Sequence, residues 1–70
     1  MVKIHLSRIL GEQRLSQKRL AEMAGIRPNT VNAIYHEQVR RIDFDVLDRI
    51  CRALHCQPGD LLEYIPTDAP

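Results

Sequence analysis

The sequence predicts an all-α domain of five short helices, which a short two-stranded β-ribbon formed by the chain ends could accompany. Its 70 residues suffice for one small core, so residues 1–70 are treated as one domain. Apolar residues recur at helical spacing through most of the chain. Four helix starts also share one local device, an apolar residue before the cap that packs on the residue five positions later. The pairs are Leu15 with Leu20, Ile26 with Val31, Ile42 with Leu47, and Cys56 with Leu61.

The chain opens with apolar and polar residues in alternation from Val2 to Leu6. Alternation with a period of two is typical of a short β-strand. The first helix follows directly and ends near residue 13, and its inward face is formed by Leu6, Ile9 and Leu10.

Residues 16–36 predict two helices joined by a tight turn. Ser16 is a good cap for the second helix, because its hydroxyl can accept a hydrogen bond from an amide that the helix leaves unpaired. Gly25 stands where a helix end requires a left-handed residue, and Pro28 suits the first position of the third helix. The inward residues of the two helices are Leu20, Ala21, Ala24, Val31 and Ile34.

A polar loop then leads to two further helices. Asp43 caps the fourth helix, which runs to about Leu54, and the fifth begins at Gln57 and Pro58 and continues to about Glu63. The last residues, 66–70, predict a loose tail. The expected inward stripe of the fourth helix consists of Phe44, Leu47, Cys51 and Leu54.

The charges divide into two halves of opposite sign. Residues 1–42 carry eight basic and three acidic side chains, a net charge of +5, whereas residues 43–70 carry two basic and six acidic ones, a net charge of −4. This asymmetry indicates one half that faces a polyanion and one that faces solvent or a partner. Chance clustering on a solvated surface is the alternative.

The third helix has an unusual outward face. It consists of amides, a hydroxyl and a methyl group, and no carboxylate occurs between Ile26 and His36. Such a surface is suited to contact with nucleic acid. The outward residues are Asn29, Thr30, Asn32 and Ala33.

These residues resemble those of the lambda-repressor-type helix-turn-helix proteins, the broad Cro/repressor (XRE) family of small bacterial and phage DNA-binding regulators. The resemblance covers about residues 4–64. It is carried in the turn motif by Ser16-Gln17, Leu20-Ala21, Ala24-Gly25-Ile26, Thr30-Val31 and Ile34. Downstream it is carried by Leu47, Ile50-Cys51, Ala53-Leu54, Pro58 and Asp60-Leu61-Leu62.

The resemblance implies a set of DNA contacts. The base-reading positions of the family fall on Pro28, Asn29, Asn32 and Ala33, with Arg27 and Thr30 as additional contacts. Asparagine can pair bidentately with adenine, and a methyl group can rest on the thymine methyl. The phosphate contacts fall on Gln17, Lys18, His36, Arg40 and Arg41.

Three departures from the family pattern involve four positions. Arg27 offers no acceptor where relatives often have a capping serine or threonine, so it either reaches DNA or leaves the cap to water. Pro28 replaces what is frequently a long polar base-reader. Leu10 and Tyr35 stand where many relatives have an ion pair, so an apolar contact is expected there.

The sequence gives weaker signals for metal binding and for catalysis. Cys51, His55 and Cys56 are close in sequence, yet a tetrahedral zinc site would need a fourth ligand, and only His5 and His36 remain. We therefore expect core thiols, no metal and no cofactor. No nucleophile with a base and an orienting group is recognisable, so we expect no enzyme.

Two functions from different classes remain. The first is a transcriptional regulator, such as a repressor, that binds double-stranded DNA as a homodimer. The second is an antitoxin-like protein that masks a protein partner and binds DNA secondarily. We expect a cytoplasmic protein without membrane association, because no signal peptide or long apolar run occurs. We also expect no small-molecule effector. The expected dimer surface consists of Val2, Ile4, Tyr64 and Ile65.

Overall fold

The computed structural model describes residues 1–66 and contains five helices and two strands. The helices are α1 (Leu6–Gln13), α2 (Gln17–Ala24), α3 (Pro28–Tyr35), α4 (Phe44–Leu54) and α5 (Pro58–Leu61). The strands β1 (Val2–Ile4) and β2 (Leu62–Tyr64) pair antiparallel, with Val2 opposite Tyr64 and Ile4 opposite Leu62. The predicted helical domain with a chain-end ribbon is confirmed. The expected loose tail falls mainly on residues 67–70, which lie outside the described residues.

The helix starts follow from local chemistry. The Ser16 hydroxyl accepts a hydrogen bond from the Arg19 N–H at 3.0 Å, and the Asp43 carboxylate accepts one from the Val46 N–H at 2.7 Å. Each bond satisfies one of the amides that a helix start leaves unpaired, which stabilises the helix by about 1 kcal/mol. Arg27 makes no such side-chain bond, as its lack of an acceptor predicts.

The four longer helices all end with the same backbone motif. In each, one residue adopts the left-handed conformation, and the next residue donates its N–H to a carbonyl five positions back. Only one of the left-handed residues is a glycine; they are Arg14 (φ 57°), Gly25 (φ 68°), Glu37 (φ 57°) and His55 (φ 52°). The N–H to O distances run from 2.8 to 3.1 Å for the pairs Leu15–Leu10, Ile26–Ala21, Gln38–Ala33 and Cys56–Cys51.

A single apolar core holds the helices together. α2 packs against both α3 and α4, and α1 packs against α3. Truncating one of the buried leucines to alanine should therefore cost about 2–5 kcal/mol. The buried residues are Leu6, Ile9, Leu10, Leu20, Ala21, Ala24, Val31, Ile34, Ile50, Leu54 and Leu61.

Two expectations about the C-terminal half were wrong. Phe44 does not point inward: it is 86% exposed, and Ile50 takes the central buried position of α4. The fifth helix ends at Leu61 rather than near Glu63, because Leu62 turns to extended backbone and begins β2. Pairing with β1 supplies hydrogen-bond partners for backbone N–H and C=O groups that a continued α5 would have paired within the helix.

Candidate nucleic-acid interface

The α3 helix is fixed by its inner face and offers its outer face to solvent. Val31 and Ile34 are buried, whereas Asn29 and Asn32 are exposed. Of the other predicted contact residues of this segment, Arg27 and Pro28 are exposed, and Thr30 and Ala33 are half-buried. The outer face therefore carries the amides, hydroxyl and methyl groups that the sequence predicted.

Two of the predicted contact residues touch each other. The Asn32 Nδ2 atom donates a hydrogen bond to the Gln17 Oε1 atom at 3.1 Å, which joins the first residue of α2 to the middle of α3. The second amide hydrogen of Asn32 and its Oδ1 atom are not used in this bond. The bond thus holds the Asn32 amide in one orientation and leaves a donor and an acceptor for a base edge.

The start of α2 leaves backbone amides without an intrahelical acceptor. Ser16 satisfies the Arg19 amide, and the N–H groups of Gln17 and Lys18 belong to the first turn, which has no intrahelical acceptor. The helix dipole adds positive charge at the same place. Lys18 is exposed beside it, so this end of α2 can receive a phosphate group.

The segment after α3 carries the remaining basic residues. His36 ends the helix and is exposed, and Arg40 and Arg41 are exposed in the loop before α4. The sequence predicted that all three contact phosphate, and they lie at the end of α3 and in the loop that follows it.

The basic side chains fall into two groups according to their partners. Within residues 1–66, five of them form ion pairs with a carboxylate: Lys3, Arg8, Arg19, Arg49 and Arg52. The others form none within that part of the chain, and they comprise Arg14, Lys18, Arg27, Arg40 and Arg41. Four of these five were predicted to contact DNA. Their charge is thus not neutralised by a neighbouring carboxylate there.

Sequence reasoning missed the role of Glu37. Its carboxylate accepts a hydrogen bond from the Ile4 N–H at 3.0 Å and lies 3.3 Å from the Lys3 Nζ atom. The Ile4 amide is the main reason why the pKa of the Glu37 carboxyl is lowered. This side chain ties the end of α3 to β1, and no local pattern indicates a contact across 33 residues.

Arg49 is a second residue whose role the sequence did not reveal. Its Nη1 atom donates to the Ala24 carbonyl at 3.4 Å, and its Nε atom donates to Asp45 at 3.1 Å. Arg49 therefore connects α4 to the end of α2, beside Gly25, where the turn of the helix-turn-helix unit begins.

The predicted dimer residues belong to the chain-end sheet or follow it directly, with Val2 opposite Tyr64 and Ile4 opposite Leu62. Val2 and Tyr64 are exposed, and Ile4 and Ile65 are half-buried. The Ile65 N–H donates to the Met1 carbonyl at 2.7 Å, so the pairing continues past β2.

The two cysteines are free thiols, Cys51 within α4 and Cys56 just after its end. Cys51 and Cys56 are both half-buried and stand at the two positions that the helix-end motif brings into contact. Burial, and then the neighbouring Cys51 thiol, raises the pKa of Cys56 to about 11. Within residues 1–66 no group of three or more His, Cys, Asp or Glu side chains is placed to hold a metal ion, and no helix there could cross a membrane.

Comparison with known proteins identifies the family of the domain. A sequence model of the Cro/C1-type helix-turn-helix DNA-binding domain matches residues 5–67, which include α1 through α5. The chain is also 34% identical over 61 residues to the uncharacterized HTH-type transcriptional regulator YozG of Bacillus subtilis (strain 168). That alignment covers 87% of this chain and 73% of the relative.

Proposed function

Because this chain belongs to the family of Cro/C1-type helix-turn-helix DNA-binding domains, we propose that it is a transcriptional regulator that binds a specific double-stranded DNA sequence, with α3 in the major groove. The observation that carries the proposal is the pattern of ion pairs. Lys18, Arg27, Arg40 and Arg41 have no carboxylate partner within residues 1–66. Arg27 directly precedes α3, whose residues include no acid, and Arg40 and Arg41 follow α3 in the next loop. The relative's name supports a regulator over the antitoxin-like alternative.

The base contacts centre on the two exposed asparagines of α3. Asn29 and Asn32 can each pair bidentately with the N6 and N7 atoms of an adenine. The bond to Gln17 orients the Asn32 amide in advance, so less side-chain entropy is lost on binding. Thr30 and Ala33 are half-buried and can offer methyl groups to thymine, and Pro28 contacts the base edges without a donor.

Phosphate contacts flank these base contacts on both sides. Gln17 and Lys18 bind one phosphate at the start of α2, where amides and helix dipole favour an anion. Arg27 reaches the backbone from the start of α3. On the other side, His36, Arg40 and Arg41 follow the strand away from the recognition helix, and they add affinity without sequence information.

Two copies bind as a homodimer through the chain-end sheet. One recognition helix covers only a few base pairs, whereas two half-sites about 34 Å apart combine two such contacts. The exposed Val2 and Tyr64, with Ile4 and Ile65 beside them, provide the apolar surface for this contact. Such a role on DNA would place the protein in the cytoplasm.

Salt dependence tests the phosphate contacts. The DNA is first selected from a random duplex library, and affinity is then measured at increasing salt. With on the order of six phosphates neutralised per dimer, the slope of log affinity against log salt should be near −5. Arg40→Ala with Arg41→Ala should flatten that slope on selected and random DNA alike.

Arg52→Ala is the matched control, because Arg52 is also exposed but is paired with Asp48 on α4. It should leave the slope unchanged. If the library yields no enriched sequence, the proposed sequence-specific binding is wrong. If the Arg40 and Arg41 double variant keeps the wild-type slope, the proposed phosphate contacts of these two residues are wrong.

A further inference from the structure

Cys51 and Cys56 are joined by the backbone motif that ends α4. The Cys56 N–H donates to the Cys51 carbonyl at 3.1 Å, and His55 between them has φ 52°, which turns the chain back toward the helix. In this motif the two residues that share the bond commonly bring their side chains into contact. The end of α4 therefore holds both thiol side chains at the same place.

The backbone bond also limits the distance between the two residues. With standard bond lengths, an N to O distance of 3.1 Å places the two α-carbons at most about 7 Å apart, and closer when the atoms are not in line. A disulfide usually joins α-carbons about 4.4–6.8 Å apart. A disulfide between Cys51 and Cys56 thus requires no rearrangement of the helix.

Both thiols line one open groove of about 460 Å³. Each cysteine is half-buried, so neither sulfur is enclosed in the core. Phe44, Leu47 and Pro58 give the same groove apolar walls. No residue that lines it is among the predicted DNA contacts. A small molecule can therefore reach the thiols from solvent at a place separate from the candidate nucleic-acid interface.

The chemistry of the groove favours a sulfur–sulfur bond over a bound metal ion. Within residues 1–66, no third His, Cys, Asp or Glu side chain joins the two thiols in a group placed to hold an ion. Metal binding would also require thiolates, whereas burial, the Cys51 thiol and Asp60 together raise the pKa of Cys56 to about 11. The sulfurs of a disulfide are uncharged, so the same surroundings do not disfavour it.

We propose that Cys51 and Cys56 form a reversible oxidation site, at which exchange with a small-molecule disulfide such as oxidised glutathione produces an intramolecular disulfide. The proposal adds a modification site to the domain and does not rest on the DNA-binding function above. In a reducing compartment such a disulfide is transient and reports oxidising conditions.

The exchange takes two steps. One cysteine thiolate attacks a sulfur of oxidised glutathione, the glutathione S–S bond breaks, and one glutathione leaves as a thiolate. The thiolate of the other cysteine then attacks the protein sulfur of this mixed disulfide and expels the second glutathione. The two protein thiols are oxidised, one glutathione disulfide is reduced to two thiols, and the two protons of the protein thiols pass to them.

The disulfide would lock the junction between α4 and α5. The loop that it closes, residues 51–56, contains the left-handed His55 and leads directly to Gln57, where α5 begins. A cross-link of this kind restricts the unfolded chain more than the folded one, in which the two residues are already together. Oxidation therefore stabilises the fold, and folding favours the disulfide to the same extent.

Exchange with glutathione in native buffer and in concentrated urea tests the proposal. The full chain is equilibrated at set ratios of reduced to oxidised glutathione and quenched with acid, and mass spectrometry then detects the loss of two hydrogen atoms. The equilibrium constant for the intramolecular disulfide should be at least about tenfold larger in native buffer. Tenfold corresponds to about 1.4 kcal/mol, so the oxidised protein should melt roughly 5–11 °C above the reduced one.

Cys51→Ser and Cys56→Ser are the matched controls, because each variant keeps one thiol in the same groove. Each should stop at the mixed disulfide with glutathione and should gain no thermal stability from it. Serine is close to cysteine in size and both positions are half-buried, so we expect both variants to fold, which melting of the reduced proteins checks. The comparison of native buffer with urea uses the wild type and does not depend on these variants.

Four results would overturn the proposal. These are an equilibrium constant in native buffer no larger than in urea, a wild type that retains two glutathione adducts, disulfides that link two chains instead of closing one, and an oxidised protein that melts no higher than the reduced one. A protein that forms the intramolecular disulfide but binds no DNA would count against the proposed function alone.

Discussion

Replacing Gly25 with alanine should destabilise the fold at the turn between α2 and α3. Gly25 has φ 68° and ψ 37°, a left-handed conformation that costs a residue with a β-carbon about 1–2 kcal/mol. Alanine recovers about 0.4–1 kcal/mol of this by restricting the unfolded chain. The backbone part of the change should therefore be a loss of about 0.5–1 kcal/mol.

The surroundings of Gly25 increase that loss. A β-carbon there would lie 3.1 Å from the Arg49 Nη1 atom, which donates to the Ala24 carbonyl at 3.4 Å. The guanidinium can shift by a few tenths of an ångström, but the bond is already long, so we expect to lose about 0.5–1 kcal/mol with it. The total is about 1–2 kcal/mol, equivalent to a decrease in melting temperature of roughly 4–16 °C for a domain of this size.

Thermal and urea unfolding followed by circular dichroism measure this change. His55→Gly is the matched opposite substitution, because His55 is exposed and has φ 52° at the equivalent position of α4. It should stabilise the domain by about 0.5–1 kcal/mol. Repeating Gly25→Ala in an Arg49→Ala background should remove the contact part of the loss. A Gly25→Ala protein as stable as the wild type, or a destabilised His55→Gly protein, would refute the reasoning.

Three further predictions concern the interface and the thiols. Asn32→Ala should weaken binding to the selected DNA by about 1–3 kcal/mol and binding to random DNA much less. Gln17→Ala should cause part of this loss of affinity for the selected DNA. Equal losses on both DNAs would contradict base reading by Asn32. The Ile4 amide lowers the pKa of Glu37, so the carboxylate stabilises the fold fully above its unfolded pKa and loses that effect as the pH falls through the lowered value. Acid titration of stability should be flatter for Glu37→Gln, and an unchanged acid limb would contradict the contact. Because the pKa of Cys56 is about 11, its alkylation by iodoacetamide at pH 8 should be slower than that of an unfolded peptide by about a hundredfold and should accelerate as the pH rises.

The positions of the helices could be predicted because their start signals are local. Ser16 and Asp43 accept hydrogen bonds from amides three residues on, and the apolar pairs that bracket each cap are five residues apart. The orientation of α3 followed for the same reason, because Val31 and Ile34 can only be buried on one side of a helix. The predicted contact residues of that helix therefore lie on one surface.

Only the tertiary structure decided which side of α4 is buried. The stripe that begins at Phe44 and the face around Ile50 both have helical spacing, so periodicity alone does not distinguish them. Packing against α2 buries Ile50 and Leu54. Phe44 lies about 120° around the helix from Ile50, which places its ring in solvent.

Two contacts between distant parts of the chain were likewise not predictable from the sequence. Glu37 reaches Ile4 across 33 residues, and Arg49 reaches Ala24 across 25. The left-handed helix ends at Arg14, Glu37 and His55 also lack the glycine that signals such an end at Gly25. Local sequence specifies where a helix begins, because caps and neighbours are a few residues apart. Pairings of distant residues depend on how the packed helices bring their ends together.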